Sequence, residues 1–284
     1  MTKKLTIPEL QQMATQVRRD IVRMVHAVQS GHPGGSLGCA EYFVAMYFHL
    51  LNHNNENWSL DGVNEDLFFL SNGHISPAWY SVLARSGYFE IEELNSFRRI
   101  NSRLQGHPAT AEGLPGIRVA SGSLGQGLSV AIGAAQTKKL NNDSKLVYVL
   151  MGDGEQQEGQ VWEAVLYAAQ NNIDNLVATI DFNHQQIDGP IESIISLDNL
   201  AAKYKAFNWE VIESDGNDID DLIKKLKLAR SLTHKGKPIV NIMSTEMGKG
   251  VDFMEGSHKW HGSPPNDEQL ASALAQLEET LGDY

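Results

Sequence analysis

The sequence predicts an α/β domain: a mostly parallel central sheet between two layers of helix, three layers αβα in all. Three observations point to it. Five short runs, Leu67–Leu70, Leu146–Met151, Leu176–Phe182, Trp209–Ile212 and Ile239–Met243, are rich in apolar, β-favouring residues. Continuous runs of this kind suit strands buried on both faces, as parallel strands are. Helical stretches lie between them, and strand–helix alternation is the pattern of a doubly wound sheet. The chain has 284 residues, 42% hydrophobic and 20% charged, the size and composition of a globular protein with one sizeable core.

Each element has its own local reason. From Pro8 to Ser30, Leu10, Met13, Val17, Ile21, Met24, Val25 and Val28 fall three or four apart, an apolar helical stripe. Arg18, Arg19, Asp20 and Arg23 fill most of the other face. The helix stops at the breaker cluster Ser30-Gly31-His32-Pro33-Gly34-Gly35. A second helix, buried on most sides, is expected over Leu37–Leu51, which carries Tyr42, Phe43, Tyr47 and Phe48. Further helices are expected over Ser76–Ser86, Leu124–Leu140, Gln160–Asn171 and Ile219–Leu232. The Gly-rich segment 113–127 and the stretch after Met247 read as functional loops, so residues 1–284 form a single domain.

Composition excludes several functions. With 23 basic and 35 acidic residues the net charge is −12, a poor footprint for nucleic acid or an anionic membrane surface. Cys39 is the only cysteine, which excludes an internal disulfide and a cysteine-based zinc site. No run reaches the roughly 18–20 apolar residues that span a bilayer. Met1 to Pro8 is polar, without an apolar signal core, and a cytoplasmic location is the expectation.

The sharpest motif is Met151-Gly152-Asp153-Gly154-Glu155, which follows the most apolar strand and precedes a helix. Ligands of open α/β sheets bind off the carboxyl ends of strands. The two glycines let backbone N–H groups approach an anion, and a helix N-terminus favours negative charge. Asp153 repels such an anion unless a cation lies between, so Mg²⁺ or Ca²⁺ bridging Asp153 to a diphosphate is the economical reading. An ordinary tight turn is the bland alternative. The next strand ends in Asp181-Phe182-Asn183-His184-Gln185, where Asn183 and loop carbonyls offer hard oxygen ligands at the same rim. Asn as a mere turn former is the alternative there.

Gly152-Asp153-Gly154, then 28 residues, then Asn183 resembles the thiamine-diphosphate enzyme motif. The doubled Asn of that motif is replaced here by Phe182-Asn183. Five other stretches are similar to loops of the transketolase branch, in its order. They are Ser30–Gly38, Ser71–His74, Gln105–Pro108, Ser121–Gly127 and Trp260–Gly262. The resemblance covers nearly the whole chain and implies the diphosphate-binding domain of that fold. It implies thiamine diphosphate and Mg²⁺ or Ca²⁺ as cofactors. Asp153 and Asn183 are then metal ligands through side chains and Gln185 through its carbonyl. Gly152, Gly154, His74 and His261 attend the diphosphate, and Gly122 and Leu124 meet the aminopyrimidine through backbone. His32, His107 and His261 line the substrate channel, and Glu158 is an acidic residue near the subunit interface.

The histidines can also be read without the resemblance. Of ten, His32, His74, His107 and His261 sit beside glycine in loops, where side chains reach strand ends. Imidazole suits proton transfer near neutral pH. His26, His49, His53, His184, His234 and His258 read as surface or packing residues. The Ser121–Gly127 run lacks the Gly-x-Gly-x-x-Gly spacing of a dinucleotide loop, and the preceding Gly116–Ala120 is a feeble strand.

In the transketolase branch, the Glu that activates the cofactor and the sugar-phosphate arginines lie in a second α/β domain. About 100 residues follow Asn183, too few for another domain. The resemblance therefore implies the N-terminal subunit of a split transketolase, working in an α2β2 assembly with a C-terminal subunit. Its reaction moves a two-carbon ketol unit from a ketose to an aldose. Donors of such enzymes include pentose phosphates, branched sugar phosphates and sulfonated ketoses. The α subunit of a 2-oxo acid dehydrogenase or decarboxylase component, deoxyxylulose phosphate synthase and a non-catalytic regulatory paralogue remain alternatives.

Overall fold

The computed structural model describes residues 4–284; Met1–Lys3, part of the polar N-terminal stretch read above, lie outside the described residues. Helix α1 (Ile7–Ala27) leads into α2 (Pro33–Gly38) and α3 (Ala40–Ala45), then β1 (Leu67–Leu70) and α4 (Ser76–Arg85). After a long loop come α5 (Gly127–Leu140), β2 (Val147–Gly152), α6 (Gly159–Gln170) and β3 (Leu176–Phe182). A short hairpin, β4 (Gln185–Gln186) and β5 (Gly189–Pro190), precedes α7 (Ile191–Ile194) and α8 (Leu200–Ala206). Strand β6 (Glu210–Asp215), α9 (Ile219–Leu232), β7 (Ile239–Ser244) and α10 (Asp267–Gln276) follow.

Five strands pair in parallel in the order β1-β2-β3-β7-β6. Alternation along each strand divides the core into two layers. Val147, Val149 and Met151 face α5 and α6, whereas Tyr148 and Leu150 face the layer built by α1, α3, α4 and α9. This is the three-layer αβα arrangement, with every predicted strand in place. The run expected to end at Ile212 continues to Asp215 because β6 is an edge strand, free to expose Glu213 and Asp215.

Several expectations are corrected. The helix expected over Leu37–Leu51 begins at Pro33, breaks at Cys39 and ends in a π-helical turn, Met46–Leu50. Packing is close at the break: a Cβ on Gly38 would stand 2.9 Å from the Glu246 carbonyl oxygen. The charged face of α1 proves to be largely buried. Arg18, Arg19 and Asp20 are all buried, and each has a partner. Asp20 accepts from Arg85 at 2.6 and 2.8 Å and from Ser81 Oγ at 2.6 Å, which bolts α1 to α4. Gly116–Ala120 forms no strand. The stretch after Met247 contains α10, whose start is capped by Asn266 and Gln269. Among the described residues no helix is long and apolar enough to cross a membrane.

Candidate active site

Parallel strands all present their carboxyl ends to one rim, and the chain uses that rim. A cavity of about 380 Å³ opens there. Its floor comes from Asn72 after β1, Gly152 and Asp153 at β2, Asp181 and Asn183 at β3, and Met247 after β7. Its walls are the loops bearing His32, His74, His107, Gly122, Leu124 and His261, together with Glu158 and the β4 residues Gln185 and Gln186. All twelve residues singled out in the sequence therefore line the same cavity.

The inner end is acidic. Asp153 and Asp181 are each 2% exposed. Asp153 Oδ1 accepts the Gly154 N–H at 2.8 Å and Oδ2 the His184 N–H at 2.7 Å. Asp181 accepts from Thr245 Oγ1 and, at 3.0 Å, from Asn183 Nδ2. Asn183 Oδ1 accepts the Gln185 N–H at 2.9 Å, so this turn is held in shape by the residues expected to bind metal. Burial, reinforced by the charge of Asp181, pushes the Asp153 carboxyl well above its usual range. Burial likewise raises Asp181.

The outer end is a cluster of imidazoles. Ring centroids lie 4.9 Å apart for His74–His261, 5.2 Å for His32–His74, 5.6 Å for His32–His261 and 6.1 Å for His32–His107. Burial, then the charges of His261, Arg98 and His107, lowers His32 to about 4. Burial is also the first cause of the low values at His74, His107 and His261, and Asp188 partly opposes it at His261. The imidazoles are thus neutral near pH 7, each with one donor and one acceptor nitrogen. Among the other histidines, His184 is exposed, pairs with Glu192 and packs on Phe182, while His53 bonds Tyr88 and the Tyr47 carbonyl.

The loop 121–127 is clamped from below. Glu155 accepts from Ser71 Oγ and from the N–H groups of Gly125 at 2.7 Å and Gly152 at 3.1 Å, and Ser71 Oγ accepts the Gly127 N–H. At Gly122 the backbone has φ 111°, and an added Cβ would stand 2.7 Å from His107 Cδ2. Only glycine lets the loop lie against that imidazole.

Asn72, Asp181 and Glu155 are site residues that the sequence reading did not assign. Asp181 had a signal, a carboxylate closing a strand of apolar residues just before Asn183. Asn72 had only its place in the second histidine loop.

The residues present fit a diphosphate and a divalent cation. Two adjacent buried carboxyls have no cationic side chain beside them among the described residues, and an unpaired buried carboxylate costs several kcal/mol even after relaxation. A hard cation offsets that cost and accepts oxygen ligands. Asn72 Oδ1, His32 Nδ1 and His261 Nδ1 are buried without partners, as the walls of a polar ligand site are. No group of three or more His, Cys, Asp or Glu side chains among the described residues is arranged for a metal, so a cation here would need amide and carbonyl oxygens beside a carboxylate.

Residues 10–281 match the family described as "Transketolase, thiamine diphosphate binding domain". One subunit of an apulose-4-phosphate transketolase from Phocaeicola vulgatus is 37% identical over 279 residues, 98% of this chain and 96% of that protein. The 6-deoxy-6-sulfo-D-fructose transketolase subunit SqwG from a Clostridium species is 36% identical over 272 residues, 95% of this chain and 96% of that protein. A crystal structure of transketolase from Campylobacter jejuni matches with a TM-score of 0.87 at 34% identity, covering 96% of this chain and 43% of that one. The chain thus spans almost all of the subunit-sized relatives and under half of the longer enzyme. It belongs to the transketolase family of transferases, as an N-terminal, thiamine-diphosphate-binding subunit.

Proposed function

We propose that this chain, joined by a complementary C-terminal subunit, transfers a two-carbon ketol unit from a ketose to an aldose. The carrying observation is the single cavity that gathers buried Asp153, Asn183 and four neutral imidazoles at the strand ends. Thiamine diphosphate, when bound, supplies the electron sink that lets the bond beside a ketose carbonyl break. Asp153, Asn183 and the Gln185 carbonyl would hold Mg²⁺ or Ca²⁺, which would supply charge to offset that of a diphosphate. Gly152 and Gly154 would let backbone approach the diphosphate, and His74 and His261 would offer it N–H donors. Gly122 and Leu124 meet the aminopyrimidine through backbone. His32, His107 and His261 bind donor hydroxyls and pass protons, a task that neutral imidazoles perform in both directions.

The partner completes the enclosure. Leu124 is 37% exposed and Ile187 62% exposed at the cavity rim, apolar surface that a second chain covers. Glu158 is exposed beside them and serves the contact between chains in an α2β2 assembly. The names of the relatives support a sugar phosphate or sulfosugar as donor, and a cytoplasmic location belongs to the same reading. The relatives do not favour the 2-oxo acid or regulatory alternatives. Reconstitution tests the reading: ketol transfer is expected from the pair with thiamine diphosphate and Mg²⁺, and none from this chain alone. Full turnover without a partner would overturn it.

A further inference from the structure

A second cavity, of about 590 Å³, opens at the other end of the sheet. It lies beside the start of β1, where Asp66 accepts the Asn52 N–H at 3.0 Å and pairs with Arg230 at 3.3 Å. Asn72 of the first cavity follows the opposite end of that strand. One wall is the π-helical turn Met46–Leu50, closed by the Leu51 N–H on the Met46 carbonyl at 2.8 Å. Such turns are rare and recur at functional sites. The last turns of α9 bring Lys227 and Arg230 to another wall, and Lys4 joins them from the segment ahead of α1.

Three cations and two imidazoles, Lys4, Lys227, Arg230, His49 and His53, therefore share this cavity. Among the described residues no carboxylate lines it, although the chain carries a net charge of −12. Lys4 and Lys227 form no ion pair among the described residues; Lys138, Lys139, Lys224 and Lys249, which do, lie outside the cavity. Arg230 spends Nη1 on the Leu50 carbonyl and Nη2 on Asp66, and keeps further donors free. The like charges meet at His49. Burial, then the charge of Lys227 and more weakly that of Lys4, lowers its imidazole, against the bond from Nδ1 to the Leu5 carbonyl. Cations gathered without a counter-charge repel one another, and a bound anion offsets that cost. Tyr47 and Leu50 are buried and Phe48 and Leu51 half-buried, which makes the rest of the lining largely apolar. Cavities of this size, apolar with a few convergent polar groups, hold small organic molecules.

We propose that this cavity binds a phosphate monoester with a flat apolar body, the phosphate on Lys4, Lys227 and Arg230 and the body against Phe48 and Leu51. Charge decides the head group. A phosphate monoester brings about −1.5 to −2 at pH 7 and three acceptor oxygens, enough for more than one cation, whereas a carboxylate brings one charge. The apolar wall decides the body. An aromatic ring packs on Phe48 and Leu51, whereas sugar hydroxyls would find no partners on those side chains. The site stands apart from the strand-end cavity and from the ketol-transfer reading.

The test is a calorimetric titration of the full chain, in EDTA, with adenosine monophosphate, and with adenosine and inorganic phosphate separately. Saturable binding of the monophosphate is expected, tighter than that of either half. Lys227→Gln and Phe48→Ala are each expected to weaken it about fivefold or more. Lys224→Gln, on the same helix but outside the cavity, is expected to leave it unchanged, and so is Asp153→Ala in the strand-end cavity. No saturable binding, either half binding as tightly as the whole, or an unaltered affinity in Lys227→Gln or in Phe48→Ala would overturn the proposal. So would an equal loss in Lys224→Gln, which would reduce the effect to general surface charge, or a changed affinity in Asp153→Ala, which would place the phosphate at the strand ends.

Discussion

His32 shows how burial sets the chemistry of one side chain. Its folded value of about 4 lies below the ordinary 6.5, chiefly through burial and then through the charges of His261, Arg98 and His107. Between those values the unfolded chain holds a proton that the folded chain does not. Stability from this group is complete above pH 6.5 and falls as the pH drops toward 4. His32→Asn is therefore expected to lose less melting temperature than the wild type between pH 7 and pH 4.5, compared in paired thermal melts. Parallel losses would remove His32 from the acid response. The same residue marks what was legible in the sequence. A histidine flanked by Gly31 and Pro33 announces a loop at a strand end, and so do His74, His107 and His261 in their own loops. Asn72 was not legible as a site residue, since an unpartnered atom exists only once the loops have packed.

At the scale of elements, the strands were the most legible because a buried parallel strand declares itself by continuous apolarity. Leu67–Leu70 and Leu176–Phe182 have the predicted bounds, and so does the helix Ile219–Leu232. The hairpin at Gln185–Pro190 has two-residue strands with no apolar alternation to read. Helix α10 was missed although Asn266 and Gln269 form a capping box ahead of it. The burial of α1's charged face was not legible for a physical reason: charge that pairs internally looks the same in sequence as charge that faces water. Its Asp20 is fully buried against Arg85 and Ser81. Asp20→Ala leaves that arginine buried and unpaired, which should cost about 3–5 kcal/mol in urea unfolding; a loss under about 1 kcal/mol would show that the clamp adds little. The loop over β2 depends on Glu155. Glu155→Ala is expected to weaken thiamine diphosphate binding in the reconstituted pair about tenfold while the far-ultraviolet spectrum stays unchanged. Equal affinity would show that the loop holds its place without that carboxylate.

The whole molecule is a platform with one catalytic rim. The sheet gathers strand ends, the glycine-rich loops bring histidines over them, and the neighbouring strands β2 and β3 deliver buried carboxyls to the same spot. The rim stays partly open, with apolar side chains exposed beside the cavity, which is why a second chain enters the proposed function. In the proposed function Asp153 joins fold to chemistry, because its buried carboxyl is costly to ionise without a cation and useful with one. Calorimetric titration of thiamine diphosphate into the reconstituted pair tests this most directly, with Mg²⁺, with EDTA, and with Asp153→Ala in place of the wild type. Tight binding is predicted only with both the divalent ion and Asp153, with a loss of about 100-fold or more when either is removed. Undiminished affinity in EDTA, or in the Asp153→Ala pair, would contradict it.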